Sequence, residues 1–198
     1  MRVGVVSDIH CNADGLRRAL ELMGDLDELI CLGDSIYEYR FSNDVVDILR
    51  RREAITIVGN HEECFFGPLG ERARARPGMD PVLADWLVTR PHRRDIEIGG
   101  KRLLLIHSTP WEPRGEYIHP TSRDLARFAE ADADFVLYGH THQQVVRRFG
   151  QVLVINPGST GDPRDSRNGG QLSCAVLDTG SEEVQVIDFS VSHSAVPR

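Results

Sequence analysis

The chain has 198 residues, of which 40% are hydrophobic and 27% charged, and a formal net charge of −7. This length predicts a single domain over residues 1–198, and the acidic balance argues against stable binding of duplex nucleic acid, because phosphate neutralisation dominates that affinity. No apolar run approaches the ~20 residues of a membrane span, and the N-terminus lacks the pattern of a signal peptide, so we expect a cytoplasmic protein without a membrane partner.

Short apolar runs alternate with segments of helical period over the first two thirds of the chain. Three of these runs have the length and composition of buried strands, residues 2–6, 28–32 and 54–58. After the first strand, apolar residues recur at the i, i+3, i+4 and i+7 spacing of an amphipathic helix face. That face comprises Leu16, Ala19, Leu20 and Met23. Ser42 is the expected cap of a second helix.

Two further helices are predicted from their first residues. Asp80 followed by Pro81 combines a cap residue with proline at the first helical position. Thr121 with Asp124 resembles a capping box that opens a fourth helix. Between the second and third helices, residues 67–78 are rich in arginine, glycine and proline, and we interpret them as a mobile loop with a solvated face or, alternatively, an anion-steering lid.

Paired strands around glycine turns dominate the remainder of the chain. Residues 94–98 and 102–106 flank Gly99-Gly100, which is typical of a tight hairpin. Similar patterns centre on Gly150 and on the Gly-Ser turn near residue 180. Alternating helices and strands followed by hairpins predict an α/β protein with one mixed sheet, or two stacked sheets with helices outside.

Residues of metal-ligand type follow five of the predicted strands. In chain order they are Asp8, His10, Asp34, Asn60, His61, Glu62, His107, His140 and His142. Ligand sites in α/β sheets form beyond the carboxyl ends of strands, so these side chains are expected to converge. The glycines that precede Asp34, Asn60 and His140 would let the backbone turn sharply and approach a bound ion.

The number of these groups exceeds what one ion of coordination four to six can use. Two ions that share the carboxylate of Asp34 would use them all. Nitrogen and oxygen ligands without thiolate suit transition-metal ions such as Mn²⁺, Fe, Co, Ni and Zn²⁺ better than Ca²⁺ or Mg²⁺. Of these we expect Mn²⁺ first. Two such ions roughly 3.5–4 Å apart form a clamp for in-line displacement at phosphorus by a bridging hydroxide.

The same motifs, in the same order, resemble those of the calcineurin-like metallophosphoesterases. They are Asp8-x-His10, Gly33-Asp34, Gly59-Asn60-His61-Glu62, His107 and Gly139-His140-x-His142. The resemblance covers residues 1 to about 160. The size of the chain and its Asn-Pro-Gly-Ser segment at residues 156–159 are most similar to the small single-domain bacterial and archaeal phosphodiesterases of that superfamily.

The resemblance implies a four-layer αββα sandwich of two mixed sheets, and it implies two divalent metal ions. It assigns one ion to Asp8, His10, Asp34 and His142, and the other to Asp34, Asn60, His107 and His140. In this scheme His61 is the catalytic residue, which protonates the leaving oxygen or stabilises charge on the phosphoryl group. The implied activity is hydrolysis of phosphodiesters or nucleotides.

Two departures from the family pattern bear on His61. Larger phosphatases carry a second aspartate three residues after the bridging one, where this chain has Tyr37, so Glu38 or Glu62 is left to orient His61. Several small relatives lack the histidine altogether, and one branch with an incomplete site is a protein-binding scaffold. Retention of His61 and of every ligand favours an enzyme.

Alternative functions are a phosphomonoesterase, including a protein phosphatase, a dinucleoside polyphosphate hydrolase and, outside the enzymes, a metal-binding scaffold module. The ligands do not separate the enzymes, because the same metal core serves all three reactions. Arg164 is a candidate contact for substrate phosphate, although an ordinary surface arginine is the simpler interpretation. The expected partner is a small phosphorylated substrate, and assembly into a homo-oligomer is compatible with the sequence.

Overall fold

The computed structural model describes residues 1–112 and 114–191, which form ten strands in two sheets. The strands are β1 (Arg2–Val6), β2 (Glu28–Cys31), β3 (Ile55–Thr56), β4 (Arg93–Ile98), β5 (Lys101–Ile106), β6 (Phe135–Leu137), β7 (Val145–Phe149), β8 (Val152–Asn156), β9 (Leu172–Asp178) and β10 (Val184–Phe189). The α-helices are α1 (Ala13–Met23), α2 (Asn43–Arg51), α3 (Asn60–Phe66), α4 (Glu71–Arg74) and α5 (Pro81–Val88). Three 3₁₀ helices cover Pro68–Gly70, Arg123–Glu130 and Ser166–Asn168.

Each sheet has five strands and mixes parallel with antiparallel pairs. The first has the order β10-β9-β1-β2-β3, with β1, β2 and β3 parallel and β9 and β10 antiparallel. The second has the order β4-β5-β6-β8-β7, with β5, β6 and β8 parallel. The predicted fold of two mixed sheets flanked by helices is confirmed.

The core separates into layers because strand side chains alternate between the two faces of each sheet. Val3 and Val5 of β1 pack between the sheets against the cluster that contains Leu103 and Leu105 of β5. Val6, which points the other way, packs with the apolar face of α1, and Leu104 packs under the 3₁₀ helix Arg123–Glu130. Helices therefore cover the outer face of each sheet.

Several helix starts follow the side-chain caps that the sequence predicts. Ser42 accepts a hydrogen bond from the N–H of Val45, and Asp80 accepts one from the N–H of Val82. The prediction for the fourth helix was wrong by one residue and in helix type. Ser122, not Thr121, caps the segment, which is 3₁₀ rather than α.

Two other predicted segments differ from the structure. The strand predicted over residues 54–58 pairs only at Ile55 and Thr56, because Ile57 and Val58 already lead into the loop before α3. Residues 67–78, predicted as a mobile loop, contain a 3₁₀ turn and the short helix α4, and their mobility stays a prediction. The Arg74 guanidinium in this segment donates to the backbone carbonyls of Phe65 and Gly67, so it stabilises the chain locally. No helix within the described residues is long and apolar enough to cross a membrane.

Candidate metal centre

The predicted ligands lie together where the strands of both sheets end. Asp8 and His10 follow β1, Asp34 follows β2, Asn60 begins α3, His107 follows β5, and His140 and His142 follow β6. All are buried except Asn60, which is half-buried. Backbone hydrogen bonds from Asp8 N–H to the Gly33 carbonyl and from His10 N–H to the Asp34 carbonyl join the first two loops. The parallel strands thus bring residues remote in sequence to one edge of the sandwich.

One group of ligand atoms is formed by Asp8, His10 and His142. The Nε2 atoms of His10 and His142 are 3.1 Å apart, and the Oδ1 atom of Asp8 lies 3.3 Å from Nε2 of His142 and 4.0 Å from Nε2 of His10. Two ligand atoms ~2.1 Å from one transition-metal ion at tetrahedral angles are themselves about 3.4 Å apart. The spacing of this group suits a single cation.

A second group is formed by Asp34, His107 and His140, whose ligand atoms all lie within 4.8 Å of one another. The Oδ2 atom of Asp34 is 3.2 Å from Nε2 of His107. The uncharged amide oxygen of Asn60 is 3.1 Å from Nε2 of His107. This second set of oxygen and nitrogen atoms could hold another cation.

Asp34 lies between the two groups. Its carboxylate also forms a cluster with His10 and His61 in which one ligand atom of each residue lies within 4.8 Å of the others. The Oδ1 atom accepts a hydrogen bond of 2.9 Å from the N–H of His61, which fixes the start of α3 against the site. Asp34 is therefore the residue that could contact a cation in either group.

The side chain of His61 points one nitrogen toward this centre. Its Nε2 is 3.8 Å from Oδ2 of Asp34, and its ring is 20% exposed. On the opposite side of the ring, Nδ1 contacts the carboxylate of Glu38. The ring also makes edge contacts with His10, at 4.7 Å between centroids, and with Tyr37, at 5.7 Å. His61 is thus placed beside the ligand groups and open to solvent on one side.

Backbone carbonyls orient three of the four ligand histidines. Nδ1 of His107 is 2.7 Å from the Leu32 carbonyl, and Nδ1 of His142 is 2.6 Å from the Asp162 carbonyl. Nε2 of His140 is 3.1 Å from the Gly115 carbonyl. In a neutral imidazole, a ring nitrogen that donates to a carbonyl leaves the other nitrogen with the lone pair that can bind a metal. In His140 the available nitrogen is therefore Nδ1, whereas in His107 and His142 it is Nε2.

Five of the predicted ligands have left-handed backbone conformations. The residues and their φ angles are Asp8 (52°), His10 (47°), Asp34 (51°), His140 (67°) and His142 (56°). Non-glycine residues rarely adopt this region, and each such residue costs of order 1–3 kcal/mol when the surroundings impose it. Strained conformations of this kind cluster at functional sites. Their concentration at the predicted ligand positions makes this edge of the sandwich the candidate functional site.

Close packing explains the glycines that precede three ligands. At Gly33, which has a φ of 91°, a Cβ atom would lie 2.6 Å from the backbone nitrogen of Gly59 and 2.9 Å from Nδ1 of His107. At Gly59 a Cβ would overlap Oδ1 of Asp34, and at Gly139 it would overlap Oγ of Ser7. Only Gly33 also needs the left-handed region, so the other two are required for close approach rather than for a sharp turn.

Glu62 is buried and holds the loop that carries Asp34. Its Oε1 accepts hydrogen bonds from the N–H and hydroxyl of Ser35 and the N–H of Ile36, and its Oε2 accepts from the N–H groups of Asp34 and Gly59. Burial and the nearby Asp34 carboxylate raise the pKa of Glu62, while the donors of Ser35 and Gly59 act in the opposite direction. Glu62 therefore has a structural role and does not contact His61.

The charge states of the histidines differ across the centre. Burial lowers the pKa of His10 to about 4 and, together with His107, lowers that of His140 to about 4, so both rings are neutral near pH 7. Burial alone would also lower the pKa of His107, but the Asp34 carboxylate raises it to about 10. Although burial would raise the pKa of Asp34, the neighbouring His107 and His61 depress it. A cation bound here would replace the proton of His107.

The residues present fit a metal site by an independent criterion. Oδ1 of Asp8 is buried and accepts no hydrogen bond among the described residues. Leaving a buried acceptor without a partner costs about 1–3 kcal/mol, and more for a charged group. This oxygen faces the Nε2 atoms of His10 and His142, and a cation in the first group would satisfy it.

A cavity of about 520 Å³ opens from the second group. Asn60 and His107 line it, together with residues that include Ser108 and Arg114. A volume in this range suits a small organic ligand. The cavity therefore provides room for a substituent of a substrate whose reacting group lies at the ligand edge.

Arg164, the predicted substrate contact, lies near the first group but is paired. Its Nε and Nη2 atoms are 3.1 and 2.6 Å from Oδ2 of Asp162, and the carbonyl of Asp162 is the partner of His142. The guanidinium remains half exposed. Its contact with substrate stays a prediction.

Sequence reasoning did not identify the aromatic flanks of the centre. Tyr117 stacks on His140 with ring centroids 3.9 Å apart, and Tyr37 packs on His10 at 4.6 Å. The carbonyl partners of the histidines were missed as well, because a backbone carbonyl gives no signal in a residue pattern. The position of Tyr37, three residues after Asp34, was the one available indication that an aromatic ring lies at the site.

The chain is similar to known phosphoesterases over almost its whole length. The family model described as the calcineurin-like phosphoesterase superfamily domain matches residues 1–182. The chain is 25% identical to phosphodiesterase MJ0936 of Methanocaldococcus jannaschii, over 94% of this chain and 98% of that protein. It is 26% identical to a probable metallophosphoesterase of Methanothermobacter thermautotrophicus, over 96% of this chain and 99% of that protein. The crystal structure of a metallophosphoesterase from Sphaerobacter thermophilus matches with a TM-score of 0.78 at 22% identity, covering 97% of this chain and 90% of that one.

Proposed function

The chain belongs to the calcineurin-like phosphoesterase superfamily and is a metal-dependent phosphoesterase, and from this premise we propose that it hydrolyses phosphodiesters or nucleotides with two divalent transition-metal ions. The family predicted from the motifs is confirmed. The observation that carries the two-ion proposal is the position of Asp34, whose ligand atoms reach His10 and His61 on one side and His107 and His140 on the other.

The two ions would share Asp34 and would otherwise have separate ligands. Asp8, His10, His142 and Asp34 would hold one, and Asp34, Asn60, His107 and His140 the other. The donor set of imidazole, carboxylate and amide suits Mn²⁺ first, with Fe, Co, Ni and Zn²⁺ as alternatives. When bound, the pair would supply positive charge to a phosphoryl oxygen and lower the pKa of water to give a hydroxide for in-line displacement.

The remaining chemistry belongs to His61. An alkoxide that leaves phosphorus needs a proton, and a positioned general acid contributes typically 10²–10⁴-fold to the rate. The Nε2 atom of His61 faces the ligand edge at 3.8 Å from Oδ2 of Asp34. We assign to it the donation of a proton to the leaving oxygen, with stabilisation of phosphoryl charge as the alternative role.

The proposed substrate class is inferred from a similar protein. The similar protein from Methanocaldococcus jannaschii is named a phosphodiesterase, which supports a diester substrate. Phosphomonoesters, including phosphoproteins, and dinucleoside polyphosphates are the alternatives, because the ligand set performs the same displacement on each. Location in the cytoplasm, a single domain and a homo-oligomer stay predictions of the sequence.

The experiment starts from metal-free protein. Metal content and hydrolysis of chromogenic diesters, monoesters, cyclic nucleotides and dinucleotides would be measured after loading with Mn²⁺, Fe²⁺, Co²⁺, Ni²⁺ or Zn²⁺. We expect two ions per chain and higher turnover with diesters than with monoesters. Binding of metal without hydrolysis of any substrate would favour the scaffold alternative.

Two variants test the assigned roles against a matched control. Asp34→Asn is expected to lose activity and at least one bound ion, because a neutral amide is a poor bridge between cations. Asp44→Asn, which removes an exposed carboxylate on α2 that pairs with Arg17, should retain both. His61→Ala should keep the metal and lose at least about tenfold in turnover. Full metal occupancy in Asp34→Asn would contradict the bridging role.

A further inference from the structure

We propose that Glu38 is the positioning residue of His61, which it holds with the proton on Nδ1 so that Nε2 faces the reacting phosphoryl group. This inference rests on the proposed role of His61 as proton donor. The family pattern provides an aspartate one position earlier in its larger phosphatases, where this chain has Tyr37. In this chain the carboxylate that orients the histidine would therefore come from Glu38, one position later in the sequence.

The contact is set by a tight turn after Asp34. Tyr37 and Arg40 exchange backbone hydrogen bonds of 3.1 and 3.3 Å, and this turn directs the side chain of Glu38 toward α3. There its Oε2 atom contacts Nδ1 of His61. The Oε2 atom is buried, and apart from this contact it has no hydrogen-bond partner among the described residues.

The position of the proton follows from that burial. Nδ1 of His61 is also 3.2 Å from the backbone N–H of Glu38, and this second contact would require Nδ1 to be an acceptor. If Nδ1 were unprotonated, the buried oxygen of Glu38 would have no donor, which is costly for an anion. A proton on Nδ1 satisfies the carboxylate. When the ring is an imidazolium, its second proton is on Nε2, and this is the proton that His61 can transfer to the leaving oxygen.

No other carboxylate is placed for this role within the described part of the chain. Both oxygens of Glu62 are occupied by donors from the Asp34 loop and Gly59. Asp34 contacts the opposite nitrogen of the ring. The rings of Tyr37 and His10 limit tilting of His61, so the remaining freedom is rotation of the ring, which Glu38 restricts.

The first test compares leaving groups. Glu38→Ala should reduce turnover of a dinucleotide, whose leaving alkoxide needs a proton, by about tenfold, because general-acid catalysis depends on the orientation of the donor. Turnover of methyl p-nitrophenyl phosphate, whose leaving phenolate is stable without a proton, should change less than about twofold. Glu38→Gln should restore part of the loss, since its amide oxygen can accept the Nδ1 proton. The matched control Glu21→Gln removes an exposed carboxylate on α1 and should behave as the parent protein.

The second test is a double-mutant cycle. If Glu38 acts through His61, His61→Ala combined with Glu38→Ala should lose no more dinucleotide turnover than His61→Ala alone. Additive losses, equal losses on both substrates, or no loss in Glu38→Ala would each overturn the proposal.

The third test does not depend on activity or on metal. In metal-free protein with ¹⁵N-labelled histidine, the His61 signals, assigned from His61→Ala, should report a protonated Nδ1 that shifts in Glu38→Ala. An unprotonated Nδ1 in the parent protein would refute the assignment. Undiminished turnover in His61→Ala would instead refute the proton-donor role in the proposed function, and the ¹⁵N spectrum would still decide the contact with Glu38.

Discussion

Glu62→Gln is the substitution that best tests how this fold holds its ligands. The carboxylate is buried and accepts five hydrogen bonds, of 2.9 Å from Asp34 N–H, 2.7 and 2.6 Å from Ser35 N–H and hydroxyl, 3.2 Å from Ile36 N–H and 2.8 Å from Gly59 N–H. Glutamine has nearly the same shape but replaces one acceptor oxygen with an NH₂ donor.

The magnitude follows from the way the donors are divided. If the amide nitrogen takes the place of Oε2, the N–H groups of Asp34 and Gly59 lose their acceptor and face a donor. If the amide nitrogen takes the place of Oε1, the N–H groups of Ser35 and Ile36 lose their acceptor instead. The Ser35 hydroxyl can rotate and accept a hydrogen bond from the amide. Two buried backbone donors are orphaned in either orientation. At about 1–3 kcal/mol each, the free energy of unfolding should fall by roughly 2–6 kcal/mol.

Urea unfolding of the metal-free protein measures this loss directly, and Glu63→Gln is the matched control. Glu63 is the next residue on α3, but it is partly exposed and pairs with His92 and Arg114 at the surface, so its loss should cost less than about 0.5 kcal/mol. Metal affinity should fall with stability in Glu62→Gln, because the same bonds place Asp34 and the start of α3. An unfolding midpoint equal to that of the parent protein would refute the structural role of Glu62.

Two further predictions concern pH and close packing. Because the pKa of His107 is raised from 6.5 to about 10, the stabilisation from its pairing with Asp34 in metal-free protein is complete below pH 6.5 and is lost as the pH rises through 10. Metal must displace that proton, so calorimetry should show affinity at this position increasing up to about tenfold per pH unit from about pH 6 to pH 8, and a pH-independent affinity would contradict the pairing. Gly139→Ala should destabilise the protein by about 1–3 kcal/mol and weaken metal binding, because its Cβ would overlap Ser7 Oγ and lie 2.8 Å from Oδ2 of Asp8. Because Gly139 does not have a positive φ, this loss would come from close packing alone, and a Gly139→Ala protein with the free energy of unfolding and metal affinity of the parent would contradict the prediction.

The positions of the ligands could be predicted from the sequence because they depend on strong local signals. A buried strand that ends in Asp8 or His140 has a period, a length and a polar terminus that one chain displays without reference to others. The parallel order of β1 and β2, and of β5 and β6, then places these termini at one edge. The helix caps Ser42 and Asp80 were predictable for the same reason, since side chain and helix are adjacent in sequence.

Features that depend on three-dimensional neighbours were not predictable. The sequence left Glu38 and Glu62 as equal candidates for orienting His61, and only the donors gathered around Glu62 separate them. The shift of the cap from Thr121 to Ser122 reflects the same limitation, because both residues have a hydroxyl and tertiary packing decides which one precedes the first helical turn. The left-handed conformations of these residues have only a weak signal in the sequence, because Asp and His are enriched in that region but most Asp and His residues have a negative φ.

The contacts among the predicted ligands indicate whether the chain needs bound metal in order to fold. In metal-free protein Oδ2 of Asp34 lies 3.2 Å from Nε2 of His107, and Oδ2 of Asp8 accepts hydrogen bonds from the Ser7 hydroxyl and the N–H of His140, so each buried carboxylate already has a partner for one of its oxygens. The carboxylates would otherwise repel one another, and the strained backbone at five ligands would add to that cost. The cores between and outside the sheets are independent of these groups. Metal should therefore add stability by mass action, about 2.7 kcal/mol at a concentration of 100 times Kd, rather than decide whether the chain folds.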